Sequence, residues 1–106
     1  MAHVVAIAPD LMFGSRIEET LRSAGHQVTA SPSASEAPLD EADLLIADLD
    51  TENPAAVVGL GMPVLGYYSH VEVETRRAAE AAGVDLVVPR SRMAREMAEL
   101  VASLVD

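Results

Sequence analysis

Short apolar runs alternate along the chain with longer stretches rich in Ala, Glu and Arg. Val4-Val5-Ala6-Ile7-Ala8 is apolar at every position, and Leu44-Leu45-Ile46-Ala47, Val64-Leu65 through Tyr68, and Leu86-Val87-Val88 behave alike. A strand with one wet face alternates apolar with polar, so continuous runs of this length predict strands covered on both faces. Gln27-Val28-Thr29-Ala30 is weaker and suits an edge strand. Between the runs, Phe13, Ile17, Leu21 and Ala24 recur at helical spacing, with Glu18, Glu19 and Arg22 opposite and Gly25 as terminator. Ser69 and Glu72 form an S-x-x-E capping box that predicts a helix running to Gly83. A last helix is expected after Ser91, with Met93, Met97, Leu100 and Leu104 on one stripe. Two intervening segments are weaker. Ser33 and Glu36 make a second box, but Pro38 limits 33–42 to little more than a turn of helix. Asn53 and Pro54 offer a cap and a first-turn proline, yet Gly59 and Gly61 stop that helix within two turns.

Five strands alternating with five helical segments predict an α/β fold. The expected architecture is a single doubly wound, five-stranded parallel sheet of order 2-1-3-4-5, a flavodoxin-like three-layer sandwich with a shortened third helix. The 106 residues fit one domain spanning 1–106. Half of the residues are apolar and only Phe13, Tyr67 and Tyr68 are aromatic, so the core must be aliphatic. Seventeen acids against seven bases, all Arg, argue against nucleic acid as a partner. Cysteine is absent, which excludes disulfides and thiolate metal sites and fits a cytoplasmic setting. No apolar run approaches the roughly 18 residues of a membrane helix, so no membrane association is expected.

Sheets of this order bind ligands at their carboxyl edge. Here that edge carries Pro9, Asp10, Asp48, Asp50, Tyr68, Ser69, Pro89 and Arg90. Asp48, ending the third strand, is a possible nucleophile toward a phosphoryl donor. Such transfer needs a cation, and Mg²⁺ wants about six oxygens. Asp10 and Asp48 are the candidate metal ligands, with the carbonyl of Asp50 a third, and Arg90 would neutralise the developing phosphate. The alternative is that Asp10 caps the first helix while Asp48 and Asp50 solvate a strand end.

The residues resemble the response-regulator receiver (CheY-like) family over essentially the whole chain. Asp43-Leu44-Leu45-Ile46-Ala47-Asp48-Leu49 is similar to the family's third strand, which puts Asp48 at the phosphoacceptor position. Pro63-Val64-Leu65 resembles the opening of the fourth strand, and Glu74 through Asp85 resembles the fourth helix and its exit into strand five. The family's acidic pair after strand one falls on Ala8 and Pro9, leaving only Asp10 one place later. Its Ser/Thr falls on Tyr68, with Ser69 adjacent, its Lys on Arg90, the following Pro on Ser91, and its strand-five aromatic on Val87. The segment between Asp48 and Pro63 is about ten residues shorter than usual. One carboxylate fewer weakens Mg²⁺ binding, and Arg is not a conservative replacement for Lys at a tight phosphate. Tyr68 is bulky enough to fill the space of a phosphoryl group. The resemblance therefore implies a degenerate, pseudo-receiver domain.

His3, His26 and His70 stand apart from one another, and neither a dinucleotide nor a P-loop fingerprint follows the first strand. Residues 1–53 carry ten acids and two Arg, whereas 54–106 carry seven acids and five Arg. Arg76, Arg77, Arg92 and Arg95 fall on the face made by the fourth helical segment, the fifth strand and the fifth helical segment. With aliphatic neighbours Val71, Val73 and Val101, that face is either a mixed solvated surface or a docking face for a partner or a second copy. The expected function is an atypical receiver-like signalling domain in bacteria. It acts by protein–protein interaction, independently of phosphorylation, without enzymatic turnover and without a cofactor. Two rivals stand beside it: a functional phosphoacceptor modified at Asp48, and a flavodoxin-like small-ligand binder.

Overall fold

The apolar runs become strands: β1 (His3–Ile7), β2 (Gln27–Ser31), β3 (Leu44–Asp48), β4 (Val64–Tyr68) and β5 (Leu86–Pro89). The structure is a computed structural model that describes residues 2–69 and 73–105, apart from the side chains of Ala34 and Val73. All pairings are parallel and the order is β2-β1-β3-β4-β5. This is the expected doubly wound α/β sheet. Every residue of β3 and β4 is buried, as continuous apolar runs require, and β2 is the edge strand foreseen from its mixed composition. Strand β5, expected to be fully covered, is the other edge, where only Val88 is buried because the strand has a neighbour on one side alone.

The helices are α1 (Leu11–Ser23), α2 (Pro54–Val58), α3 (Val73–Ala82) and α4 (Arg90–Val105). Strand alternation sends Val4, Ala6, Leu44, Ile46, Leu65 and Tyr67 toward α1 and α4, where they meet Phe13, Ile17, Leu21, Met93 and Met97. The complementary set, Val5, Ile7, Leu45, Ala47, Val64 and Tyr68, packs with Leu49, Val57, Ala79 and Val84 on the other face. Two mainly aliphatic layers, which between them also take in Phe13, Tyr67 and Tyr68, thus enclose the sheet.

The short third helix is real: α2 has five residues, capped by Asn53, whose Oδ1 accepts from the amides of Ala55 (2.9 Å) and Ala56 (3.4 Å). Segment 33–42 forms only two 3₁₀ turns, Ala34–Glu36 and Leu39–Glu41, on either side of Pro38. Its Ser33 hydroxyl donates to the Glu36 carboxylate, so the box closes between side chains without starting an α-helix. The box of Ser69 and Glu72 lies partly outside the described residues, as do His70 and Val71. The last helix starts at Arg90, directly after β5, instead of after Ser91, and departs from helical geometry at Glu96 (φ −121°, ψ 19°). Val101, expected beside the docking face, is fully buried in the core.

Gly66 marks a close approach. A Cβ there would fall 2.6 Å from Leu49 Cδ1 and 2.9 Å from Leu49 Cγ, so the residue after Asp48 packs down onto a position without a side chain.

Candidate functional site

Asp48, the last residue of β3, is only 7% exposed. Its Oδ1 accepts from the Asp50 amide at 2.9 Å, and its carbonyl accepts from the amides of Thr51 and Glu52. Burial pushes the Asp48 carboxyl up from the ordinary carboxylate value; the Asp50 amide and the Arg90 charge oppose that rise, while the charges of Asp50 and Asp10 add to it. The Asp50 side chain turns away, accepting from the Ser69 amide at 2.8 Å. Asp50 thereby ties the loop after β3 to the loop after β4. Asp48, Asp50 and Ser69, all predicted at this edge, are brought together.

Asp10 ends the connection from β1 and caps α1. Its Oδ1 accepts from the amides of Met12 (3.0 Å) and Phe13 (3.2 Å), the short polar side chain satisfying two otherwise orphaned donors. Its Oδ2 accepts from Arg90 Nη2 at 2.6 Å, joining residues 80 apart in sequence. That hydrogen bond, with the Phe13 amide next, holds the Asp10 carboxyl below its ordinary value. The guanidinium carbon of Arg90 lies 4.2 Å from the centroid of the Phe13 ring, a cation–π contact. Phe13 in turn meets Tyr67 edge to face, with ring centroids 5.0 Å apart.

Tyr67 is the neighbour the sequence reading missed. It pairs in register with Asp48 and shares its face of the sheet. It is fully buried, and its hydroxyl has no hydrogen-bond partner among the described residues. Burial, with the Asp48 charge second, pushes that hydroxyl well above the usual phenol range. Tyr68, expected to crowd Asp48, belongs instead to the layer on the other face, among Leu49, Val57 and Ala79. Parity along β4 groups Tyr67 with Leu65 and Tyr68 with Val64, and the β3–β4 register then sets Tyr67 on the face of Asp48.

The donor set is a poor match to a divalent cation. Ala8 and Pro9 offer no side-chain oxygen, Asp10 spends both of its oxygens on α1 and Arg90, and Asp48 spends one on Asp50. Among the described residues no three His, Asp or Glu side chains gather at metal-binding spacing. A hard cation gains affinity from the number of anionic oxygens it can reach, so Asp10 and Asp48 as arranged do not fit Mg²⁺.

Arg76 and Arg77 lie exposed on α3, and Arg92 and Arg95 exposed on α4. Three of them have acidic partners on their own helix: Arg76 with Glu80 (3.4 Å), and Arg92 and Arg95 with Glu96 (3.3 and 3.8 Å). On the opposite flank a cleft of about 270 Å³ lies between the start of α1 and the end of β2, lined by Leu11, Gly14, Ser15, Glu18, Ser31 and Pro32 among others. It does not adjoin the shortened α2. Among the described residues no helix is long and apolar enough to cross a membrane.

No family model and no curated protein matches the sequence. Solved structures do resemble the fold. A response regulator receiver protein from Burkholderia phymatum superposes with a TM-score of 0.82 at 22% identity, over 99% of this chain and 95% of that one. A response regulator receiver domain protein from Clostridium thermocellum gives 0.85 at 14% identity, over 99% and 94%. An orphan response regulator of H. pylori gives 0.81 at 17% identity, over 99% and 97%. Taken with the strand order and the two helical layers, these likenesses show that the chain has the CheY-like fold of response-regulator receiver domains.

Proposed function

We propose that the chain is an atypical, pseudo-receiver signalling domain, one unit over 1–106, that acts by protein–protein contact in a bacterial signalling pathway without phosphoryl transfer or turnover of its own. One observation carries the reading: the acid nearest Asp48 from the β1 side, Asp10, is committed to the α1 cap and to Arg90. The edge is left with one buried carboxylate, a fixed guanidinium and an aromatic pair, a set that holds shape better than it holds a metal and a phosphate.

The working surface in this reading is the face of α3, β5 and α4, with Arg76, Arg77, Arg92 and Arg95 meeting an acidic protein surface or a second copy of the chain. Exposed pairs within one helix contribute only about 0.3–0.5 kcal/mol each, so these guanidinium groups can exchange Glu80 and Glu96 for a partner's carboxylates at little cost. With a formal charge of −10, nucleic acid is a poor partner. The cytoplasm is the compartment that suits such a role.

The test is incubation of the whole chain with acetyl phosphate and Mg²⁺, followed by intact mass, with beryllofluoride and amide shifts in parallel. No added phosphoryl mass and no shifts around Asp48 are expected. A stoichiometric mass gain abolished by Asp48→Asn would establish the phosphoacceptor rival instead.

A further inference from the structure

Arg90 is oddly placed. It is the first residue of α4, and a helix N-terminus favours negative charge, so a guanidinium there is electrostatically misplaced unless something compensates. Two contacts compensate: the 2.6 Å hydrogen bond to Asp10 and the Phe13 ring at 4.2 Å, which itself packs on Tyr67, the register neighbour of Asp48. The positive charge acts directly on Asp10, and its hydrogen bond is the main cause holding that carboxyl below its ordinary value. A guanidinium cannot shed its proton under ordinary conditions, so the charge is permanent.

We infer that Arg90 is the built-in cation of this carboxyl edge, pairing with the carboxylate of Asp10 beside Asp48 and thereby keeping divalent ions out. The inference rests on the non-phosphorylating reading above and names the residue that enforces it. A divalent ion would need at least one free oxygen of Asp10, yet Oδ1 holds the first turn of α1 and Oδ2 holds Arg90. It would also have to sit beside a like charge in a partly desolvated edge, where repulsion is stronger than in bulk water. Arg90 and Asp10 have side chains 34% and 42% exposed, so replacing Arg90 removes the charge without opening the core.

The experiment is Mn²⁺ titration of the full chain, read by calorimetry and by paramagnetic broadening of amide signals, on wild type, Arg90→Gln and the double variant Arg90→Gln/Asp10→Asn. Far-UV circular dichroism confirms the fold of each. Arg90→Met, whose apolar stem still covers Phe13, serves if the Gln variant is impaired. Loss of the like charge is expected to tighten Mn²⁺ binding by about tenfold or more, with broadening centred on Asp10 and Asp48, and the double variant should lose that gain. Equal affinities in wild type and the single variants would overturn the inference, as would a gain that survives removal of the Asp10 charge. The two readings fail separately: an Asp48-dependent mass gain in wild type sinks the proposed function, whereas absence of any gain in the Arg90 variants sinks the built-in cation alone.

Discussion

Asp48 and Asp10, two aspartates at one sheet edge, respond to acid in opposite ways. Burial raises the Asp48 carboxyl above its unfolded value, so folding favours its protonated form. The stability it contributes is present below the ordinary carboxylate pKa and is lost as pH rises through the raised value. Asp48→Asn, which keeps an acceptor for the Asp50 amide, should therefore raise Tm at pH 7 and lose that advantage near pH 3. Thermal melts at the two pH values decide the matter; an unchanged or lower Tm at neutral pH contradicts it. Asp10 runs the other way. Arg90 and the α1 amides lower its carboxyl, so its contribution is present above the unfolded pKa and disappears as pH falls through the lowered one. Two glycines make a second contrast. A methyl group on Gly66 collides with Leu49, so Gly66→Ala should cost about 1–3 kcal/mol in denaturant unfolding. In α1, Gly14 has only ordinary contacts at 3.7 Å to Ala8 and Ala30, so Gly14→Ala should gain about 0.5–1 kcal/mol. Equal effects from the two substitutions would mean that local space does not set their cost.

Elements here are short, and their ends are set by single residues. With five residues, α2 is far below the length at which a helix persists alone, so its cap and the contact of Val57 with the core hold it. Asn53→Ala should cost about 1 kcal/mol, with hydrogen exchange accelerating in 54–58 before any change in β3. Uniform acceleration across the sheet would argue instead that α2 is part of the cooperative core. Sequence cues located these ends well where a side chain caps its own backbone. Asn53 starts α2, while Gly25 and Gly83 follow α1 and α3 with φ of 95° and 97°, backbone that favours glycine. They located α4 less well. Its first residue, Arg90, pairs with Asp10 from across the molecule, a partner that no local window contains.

At the scale of the whole molecule, charge and cover shape association. Five Arg of the second half lie on or beside α3 and α4, whereas the first half carries −8. If a second copy docks through the α3, β5 and α4 face, light scattering should report a dimer, and charge reversal at Arg77 and Arg95 should weaken it more at low salt than at high salt. A monomer insensitive to salt and concentration would leave only a heterologous partner for that face.

The run pattern was enough to show that five strands alternate with helices, that β1, β3 and β4 are sheathed on both faces, that the third helical segment is a stub, and that Asp48 stands at the carboxyl edge. All of these depend on periodicity and punctuation within windows of ten to fifteen residues, where propensity and burial act together. Only tertiary structure decided that Tyr67 and not Tyr68 shares the face of Asp48, that Leu49 rests on Gly66, and that Arg90 answers to Asp10. Those outcomes turn on register between strands and on a contact between residues 80 apart, and side chains find such partners by distance in the folded state, which the order of residues along the chain does not encode locally.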